Sequence, residues 1–537
     1  MSSSAGALPA GGGGGALPAP RRGQSIEALT ARWGPRYRLL VTLAAMIGTV
    51  STILSSTIVN VALPDIMGAF GIGQDRAQLF AAGFLAATTG TMLITAWCIE
   101  SFGIRATYMA AMAVFVAGSA IGGLAPNEGT LVVGRVMQGA SAGLLQPLGM
   151  QVVFRVFPPE RRGSAMGLFA VGVVMAPALG PTIGGVMTDA FGWRSVFLTA
   201  MPLPLVGVAL GWLFLPTRES RSPRPRFDAP GFLLLVAAVG ALLTGLASGQ
   251  RHGWGSDEVV TELALAGLCA VGFVLWELRA PAPMLDPRIF ANRGFACASA
   301  VAFVYGAALF GTTYLAPLFV QLVQGYTPTR AGLLLMPAGL VMVVCFPVSG
   351  RIADRVAPSW PMAIGLAVFA ASAWLMAGVD TDVPFWTLAL WILLGRVGLS
   401  LAMPSMNTGA LRALPPRFLG QGAGAINFAR QFGGALGING LSIVLEQHTQ
   451  IHAQALAATQ DGGNPVTLEL RRMVEAMLAQ EGVPETLRLA GFEDYLGRIV
   501  FAQAQMLAFR DSFTVAAIVC LAAVVPALLM RPARGAG

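Results

Sequence analysis

The sequence predicts an all-α polytopic membrane protein with fourteen transmembrane helices, grouped six, two and six, and with both termini in the cytoplasm. Composition is the first reason. Of the 537 residues 55% are hydrophobic and only 11% charged, with a mean hydropathy of +0.69; a soluble domain carries about a quarter charged residues. Length is the second: fourteen apolar segments can each cross a bilayer. The third is an echo between the halves. Leu131-Val-Val-Gly-Arg135-Val-Met-Gln138-Gly139 is answered by Ile392-Leu-Leu-Gly-Arg396-Val-Gly-Leu-Ser400, each with an arginine inside an apolar stretch.

Residues 1–36, mostly Gly, Ala, Pro and Ser, read as a disordered cytoplasmic tail. Polar residues follow Arg21-Arg22, so this is not a twin-arginine signal. The first six spans lie near 39–64, 77–98, 106–125, 130–153, 164–188 and 195–215, a bundle covering 37–216. Two extra spans, near 229–248 and 259–276, occupy 217–293. Five more follow near 296–320, 331–350, 361–379, 384–410 and 419–445, making 294–446 the first five helices of a second bundle. Residues 447–510 form a long outer loop, and 511–537 hold the last span, near 512–530, with a short cytoplasmic tail. All 34 basic residues are arginines. With the termini inside, 22 of them fall in tails and inner loops, while the short outer loops hold four, Arg76, Arg194, Arg251 and Arg330. The positive-inside rule therefore sets the orientation.

The long loop carries two amphipathic helices. Leu470, Met473, Val474, Met477 and Leu478 share one face; Phe492, Tyr495, Leu496, Ile499 and Val500 share another. These faces can pack on each other, on the outer ends of the bundles, or on a partner.

The absence of lysine excludes a Walker A site and a Schiff-base cofactor. Energy for pumping must then come from an ion gradient or a separate subunit. Cys98, Cys269, Cys297, Cys345 and Cys520 fall within spans without ligand spacing and read as small apolar core residues. His448 and His452 stand at i, i+4, a metal-binding spacing, but only Glu446 offers a nearby third ligand, so no metal is expected. No nucleophile–base set sits within a span, so no catalytic residues, enzymatic activity, cofactor or nucleic-acid partner is expected.

Polar residues inside spans point to a transport path. A buried arginine costs at least ~3 kcal/mol on insertion scales, and is tolerated where it faces a protein interior or a watery cavity. Arg135, Arg396 and Arg430 are such residues, and duplicated bundles that meet at a central site are typical of transporters. The first span holds Ser55, Thr57 and Asn60 before Pro64. In the fifth, Pro177, Gly180, Pro181, Gly184 and Gly185 combine a GxxxG face with two helix-bending prolines. Gly350-Arg351-Ile-Ala-Asp354-Arg355 makes a glycine turn with an acid and a base, and Glu100, Gly103 and Arg105 form a weaker counterpart led by Ala96.

From residue 38 to 530 the chain resembles the major facilitator superfamily, specifically its fourteen-span drug:proton antiporters of the EmrB/QacA type. The motifs that carry the resemblance appear in the family's order: Thr57-Ile-Val-Asn60-Val-Ala-Leu-Pro64, Arg135 with Gln138 and Gly139, Ala176-Pro177-Ala-Leu-Gly180-Pro181-Thr-Ile-Gly184-Gly185, and Gly350 to Arg355. Tyr314-Leu-Ala-Pro317-Leu-Phe-Val-Gln321, Ala331-Gly332-Leu-Leu-Leu-Met-Pro337 and Asn427-Phe-Ala-Arg430-Gln431-Phe-Gly433-Gly434 follow in the second half. The resemblance implies a major facilitator fold in the bacterial inner membrane, exporting hydrophobic small molecules by alternating access in exchange for protons. It implies that Arg135 influences proton coupling, that the loop motifs latch the cytoplasmic gate, and that the fifth-span motif is an exporter hinge. The length of the outer loop implies a periplasmic adaptor and an outer-membrane channel as partners. Ser55 stands where the family commonly has an aspartate.

No carboxylate lies near the membrane centre; Asp65, Glu100, Asp189, Asp354 and Glu446 sit at span ends. Either a peripheral acid, with Asp65 the first choice, carries the proton through a water path, or the cavity is net positive and takes a hydrophobic anion. A dedicated exporter of one natural product or fatty-acid-like anion, and a non-transporting membrane receptor or scaffold, are the alternative readings.

Overall fold

The computed structural model describes residues 25–72, 74–217, 226–460 and 464–530, and among them all regular structure is helical. The first half comprises α1 (Ile26–Trp33), α2 (Tyr37–Val61), α3 (Leu63–Phe70), α4 (Gln74–Phe102), α5 (Ile104–Gly123), α6 (Glu128–Val156), α7 (Arg162–Phe191), α8 (Ser195–Thr199) and α9 (Pro202–Phe214). Two further helices, α10 (Ala229–His252) and α11 (Asp257–Glu277), pair with each other. The second half comprises α12 (Arg293–Leu322), α13 (Pro328–Arg355), α14 (Ser359–Met376), α15 (Phe385–Arg412), α16 (Leu419–Ala457), α17 (Pro465–Gln480), α18 (Glu485–Ala522) and α19 (Val524–Leu529).

Helix boundaries follow local chemistry. Asn127 caps α6 by accepting from Thr130 N, Ser256 caps α11, Asn292 caps α12 and Thr327 caps α13. Between α4 and α5 the chain turns at Gly103, whose φ of 87° a side chain would resist. Eleven helices among the described residues are long and apolar enough to cross a membrane. The other three predicted spans coincide with α6, α7 and α16, of 29, 30 and 39 residues.

Three expectations change. The stretch before the first span is not wholly a disordered tail, because Ser25 caps α1 with its hydroxyl, Leu29 is buried, and Trp33 meets Phe214 edge-on at 5.3 Å; residues 1–24 lie outside the described residues. The first span, expected near 39–64, is not one helix to its end, since α2 stops at Val61 and Pro64 sits in the first turn of α3, where its missing N–H costs nothing. The last two spans do not stop at the loop. α16 and α18 run on past the predicted boundaries at 445 and 512, with the α17 hairpin between them. Val474 and Phe492 are buried there and Leu478 packs against Gly491, whereas Met473, Met477 and Tyr495 stay exposed.

Small residues and threonines hold the first bundle. A Cβ on Gly139 would lie 2.2 Å from the Phe84 carbonyl oxygen, so α4 and α6 touch backbone to backbone. Thr88, Thr91 and Thr95 of α4 then donate to the carbonyls of Gly139, Ala140 and Gly143 at 3.1, 2.9 and 3.3 Å.

The two halves meet through α7 against α13 and α15, and through α4 and α6 against α16. The main apolar core fills the second half and extends to Ala45, Leu93, Met150, Phe154, Met166 and Phe169, all toward the Asp354 end of the first half. At the opposite end Ile58, Val59, Ile66, Phe80, Leu131 and Phe197 close on one another as a separate cluster. The halves are fused around Asp354, and the first half is packed on itself at the far end.

Candidate functional site

Arg135 is 1% exposed on α6. Its Nε donates to the Phe80 carbonyl (3.3 Å), its Nη1 donates to Gln138 Oε1 (3.0 Å), and its guanidinium lies 4.4 Å from the Phe84 ring centroid. Gln138 passes the network to Ser119 Oγ on α5 at 2.8 Å. Each of these partners belongs to α4, α5 or α6. Arg135 is therefore held inside the first bundle by neutral acceptors and a ring face, which offset part of its desolvation.

The second-half arginines are held differently. Arg396 of α15 donates to the Leu309 carbonyl (3.2 Å) and to Thr313 Oγ1 (2.7 Å), both on α12. Arg430 of α16 donates to Asn427 Oδ1 (2.8 Å) and, across the junction between the halves, to Gln146 Oε1 of α6 (3.3 Å). Asn427 Nδ2 lies 3.3 Å from Met150 Sδ on the same helix of the first half. Buried Tyr305 of α12 stands beside both guanidiniums and reaches Met403 Sδ at 3.6 Å. The sequence reading missed Gln146, Met150, Tyr305 and Thr313. Gln146 carried a signal, being an amide in an apolar span two turns past Gln138.

The other predicted residues are dispersed. Ser55 is 1% exposed and its hydroxyl has no hydrogen-bond partner among the described residues. Thr57 turns back to the Ile53 and Leu54 carbonyls and lies against Gly180. Asn60 lies in α2 with its side chain outside the described part. Asp65 is exposed in the first turn of α3. Gln321 donates to the Pro317 carbonyl on its own helix at 3.1 Å. Gln431 is half-buried and, at about 100° per residue, points to a different side of α16 from Arg430.

Gly180 and Gly184 face α2, and Cβ atoms there would come within 3.0 Å of Thr57 Oγ1 and the Ile58 carbonyl oxygen, while Gly185 faces open space. Pro177 and Pro181 lie in one continuous helix, with side chains outside the described part.

Asp354 closes the junction. It accepts from the backbone N–H groups of Gly163 and Ser164 (the latter at 2.8 Å) and from Ser164 Oγ, so an acid at the end of α13 caps the start of α7 in the other half. Arg412 stands 3.9 Å from Asp354 and donates to the Pro159 carbonyl at 2.8 Å, a second link between halves. The helices touch directly, since a Cβ on Gly163 or on Gly350 would lie 2.5 Å from the other's carbonyl oxygen. Arg351, Arg355, Glu160 and Arg161 line a cavity of about 700 Å³ beside the seal. The first-half counterpart does not mirror this. Arg105 donates to the Leu215 carbonyl (2.7 Å) within its own half, Gly103 makes the turn, and Glu100 faces Arg155.

One further acidic pair went unnoticed because its members are 49 residues apart in sequence. Asp228 caps α10 and accepts from Trp276 Nε1 at 2.7 Å, while Glu277 accepts from Leu285 N at 3.3 Å. Their other oxygens, Asp228 Oδ2 and Glu277 Oε1, are buried without a donor among the described residues and both face Gly231.

A family model described as Major Facilitator Superfamily matches residues 45–438, from α2 into α16. The multidrug export protein EmrB of Haemophilus influenzae is 28% identical over 93% of this chain and 96% of its own length. The methylenomycin A resistance protein of Streptomyces coelicolor is 30% identical over 74% of this chain and 84% of its own. Among solved structures, the human organic anion transporter MFSD10 (TETRAN) aligns with a TM-score of 0.59, covering 90% of this chain and 99% of that one at 13% identity, a likeness of fold alone.

Proposed function

The chain belongs to the major facilitator superfamily, and on that premise we propose that it is a proton-coupled secondary active exporter of hydrophobic or amphipathic compounds, working by alternating access. It sits in the bacterial inner membrane with fourteen spans, both termini and the Asp354 end facing the cytoplasm. One observation carries the reading: the halves are sealed to each other at the Asp354 end, where that carboxylate caps α7 of the opposite half, while Ile58, Val59, Phe80 and Phe197 form a separate apolar cluster at the first half's far end. A transporter caught with its inner gate shut has this arrangement, and the seal is a capping contact that can be made and broken as a unit.

Above that seal the path is lined by Arg430, Asn427, Gln146, Tyr305 and Met150, a polar cluster with a fixed positive charge. Such a surface suits weakly acidic amphipathic compounds over quaternary cations. The exposed apolar faces of α17 and α18 suit a periplasmic adaptor.

Reconstituted protein tests this reading. Efflux should follow an imposed pH gradient, and Asp354→Asn should slow it by about tenfold or more, as expected when an anionic acceptor of several bonds is neutralised. Acidic uncouplers should compete better than ethidium-like cations; the reverse ranking removes the anion preference. Asp65→Asn and Glu277→Gln locate the proton, because the variant that keeps downhill flux but ignores the gradient is the one that holds it. Wild-type flux indifferent to pH would overturn proton coupling.

A further inference from the structure

We infer that His448, His452 and Asp511 form a site for a divalent transition-metal ion of the zinc class, where it staples α16 to α18 at the end of the molecule opposite Asp354. Two of the chain's three histidines converge here, on one carboxylate contributed by a distant helix. His448 and His452 lie one turn apart on α16, so their side chains share a face. Asp511 reaches them from α18, and its Oδ2 lies 2.7 Å from His448 Nδ1 and 2.7 Å from His452 Nε2.

The residue types match the ion. Two imidazole nitrogens and a carboxylate oxygen suit zinc, cobalt, nickel or copper, whereas calcium and magnesium prefer an all-oxygen shell. The three ligand atoms all fall within 4.8 Å of one another. A tetrahedral ion with bonds of about 2.0–2.1 Å separates its ligand atoms by about 3.3 Å, so admitting one takes a withdrawal of Asp511 by about 0.6 Å from each imidazole together with a rotation of the rings that sets their two nitrogens at the same spacing. As the structure stands, each imidazole's facing nitrogen is within hydrogen-bond distance of the carboxylate. On binding, each ring presents a lone pair at that same nitrogen and keeps its proton on the other, and the carboxylate exchanges hydrogen bonds for a metal–oxygen bond.

The surroundings leave the site open to solvent. All three side chains are partly exposed, at 40%, 29% and 37% for His448, His452 and Asp511, so an ion can enter from the aqueous side. The neighbouring Arg510 is directed elsewhere, donating to the Ala377 carbonyl at 2.9 Å. Glu446, the third ligand considered from sequence, is exposed two residues before His448 and so lies about 200° around the helix from it. The carboxylate that meets the histidines is 59 residues beyond His452 in the chain. Three protein ligands leave a fourth position for water.

The test uses full-length protein in detergent, purified without a histidine tag and stripped with chelator. Titration with Co²⁺ should give the visible bands of a low-coordinate nitrogen–oxygen site, saturating at one ion per chain and displaced by Zn²⁺. Asp511→Asn and His452→Ala should lose both the bands and the bound ion, while His252→Ala keeps them. Gel filtration shows whether each variant remains monodisperse. Asp511→Cys retains a ligand and should add a thiolate-to-cobalt charge-transfer band, which a merely structural role for Asp511 would not produce. Wild type that takes up no Co²⁺ beyond the level of the His452→Ala variant overturns the site, as does Asp511→Cys binding cobalt without that band.

Discussion

The buried arginines of the two halves begin from the same nine-residue pattern and end in different work. Arg135 has Gln138 three residues on, and the pair closes a network on α4, α5 and α6 that never leaves the first bundle. Arg396 has Leu399 at the corresponding place, finds no amide on its own helix, and reaches across to Thr313 of α12 instead. The second half then adds Arg430, which has no first-half equivalent among the echoed residues and bonds directly to Gln146 of the opposite bundle. Both echoed arginines brace their own half, Arg135 through an amide on its own helix and Arg396 through a hydroxyl on a neighbouring one, while the charge at the junction between the halves comes from Arg430. A duplicated motif therefore marks where a charge can be tolerated, while its partners decide what the charge does.

The sharpest way to break this comparison is at the junction. Arg430→Ala should reduce efflux by roughly 10- to 100-fold with protein yield kept, in line with about 1.5–3 kcal/mol for a hydrogen bond to a charged group. Gln146→Leu should fall in the same direction, and the double variant should be no worse than Arg430→Ala alone. Full additivity would mean that the two residues act separately. The next effect is on stability. Gln138→Leu, which copies the second half into the first, leaves Arg135 Nη1 without an acceptor and should destabilise by about 1–3 kcal/mol, read as a lower Tm. A loss of transport with Tm unchanged would place Arg135 in the path after all. The smallest effect is expected one residue along: Gln431→Ala, pointing away from the Arg430 contact, should change stability by no more than about 0.5 kcal/mol and leave efflux intact.

Much of the architecture was legible because hydrophobic periodicity and charge placement are local. Apolar runs located most of the helices to within a few residues, α16 and α18 excepted, and Gly180 and Gly184 announced a close helix contact that α2 supplies. Where the reading erred, the cause was a short-range contact with a distant residue. Leu29 and Trp33 pack on the end of the first bundle, so a segment of tail-like composition forms α1. The extension of α16 and α18 past the predicted spans depends on their packing against one another, which a hydropathy window cannot register.

By itself the sequence determined the helical class, the placement of most of the long helices and the apolar setting of the arginines, because each depends on side chains a few positions apart along one helix. Only the tertiary structure decided which partners those residues meet. It set Asp354 on the backbone of Gly163 and Ser164, Arg430 on Gln146, Glu277 beside Asp228, and Asp511 between His448 and His452. Those contacts join segments from 49 to 284 residues apart, and pairing at such separations follows from how the helices pack, which no local pattern encodes.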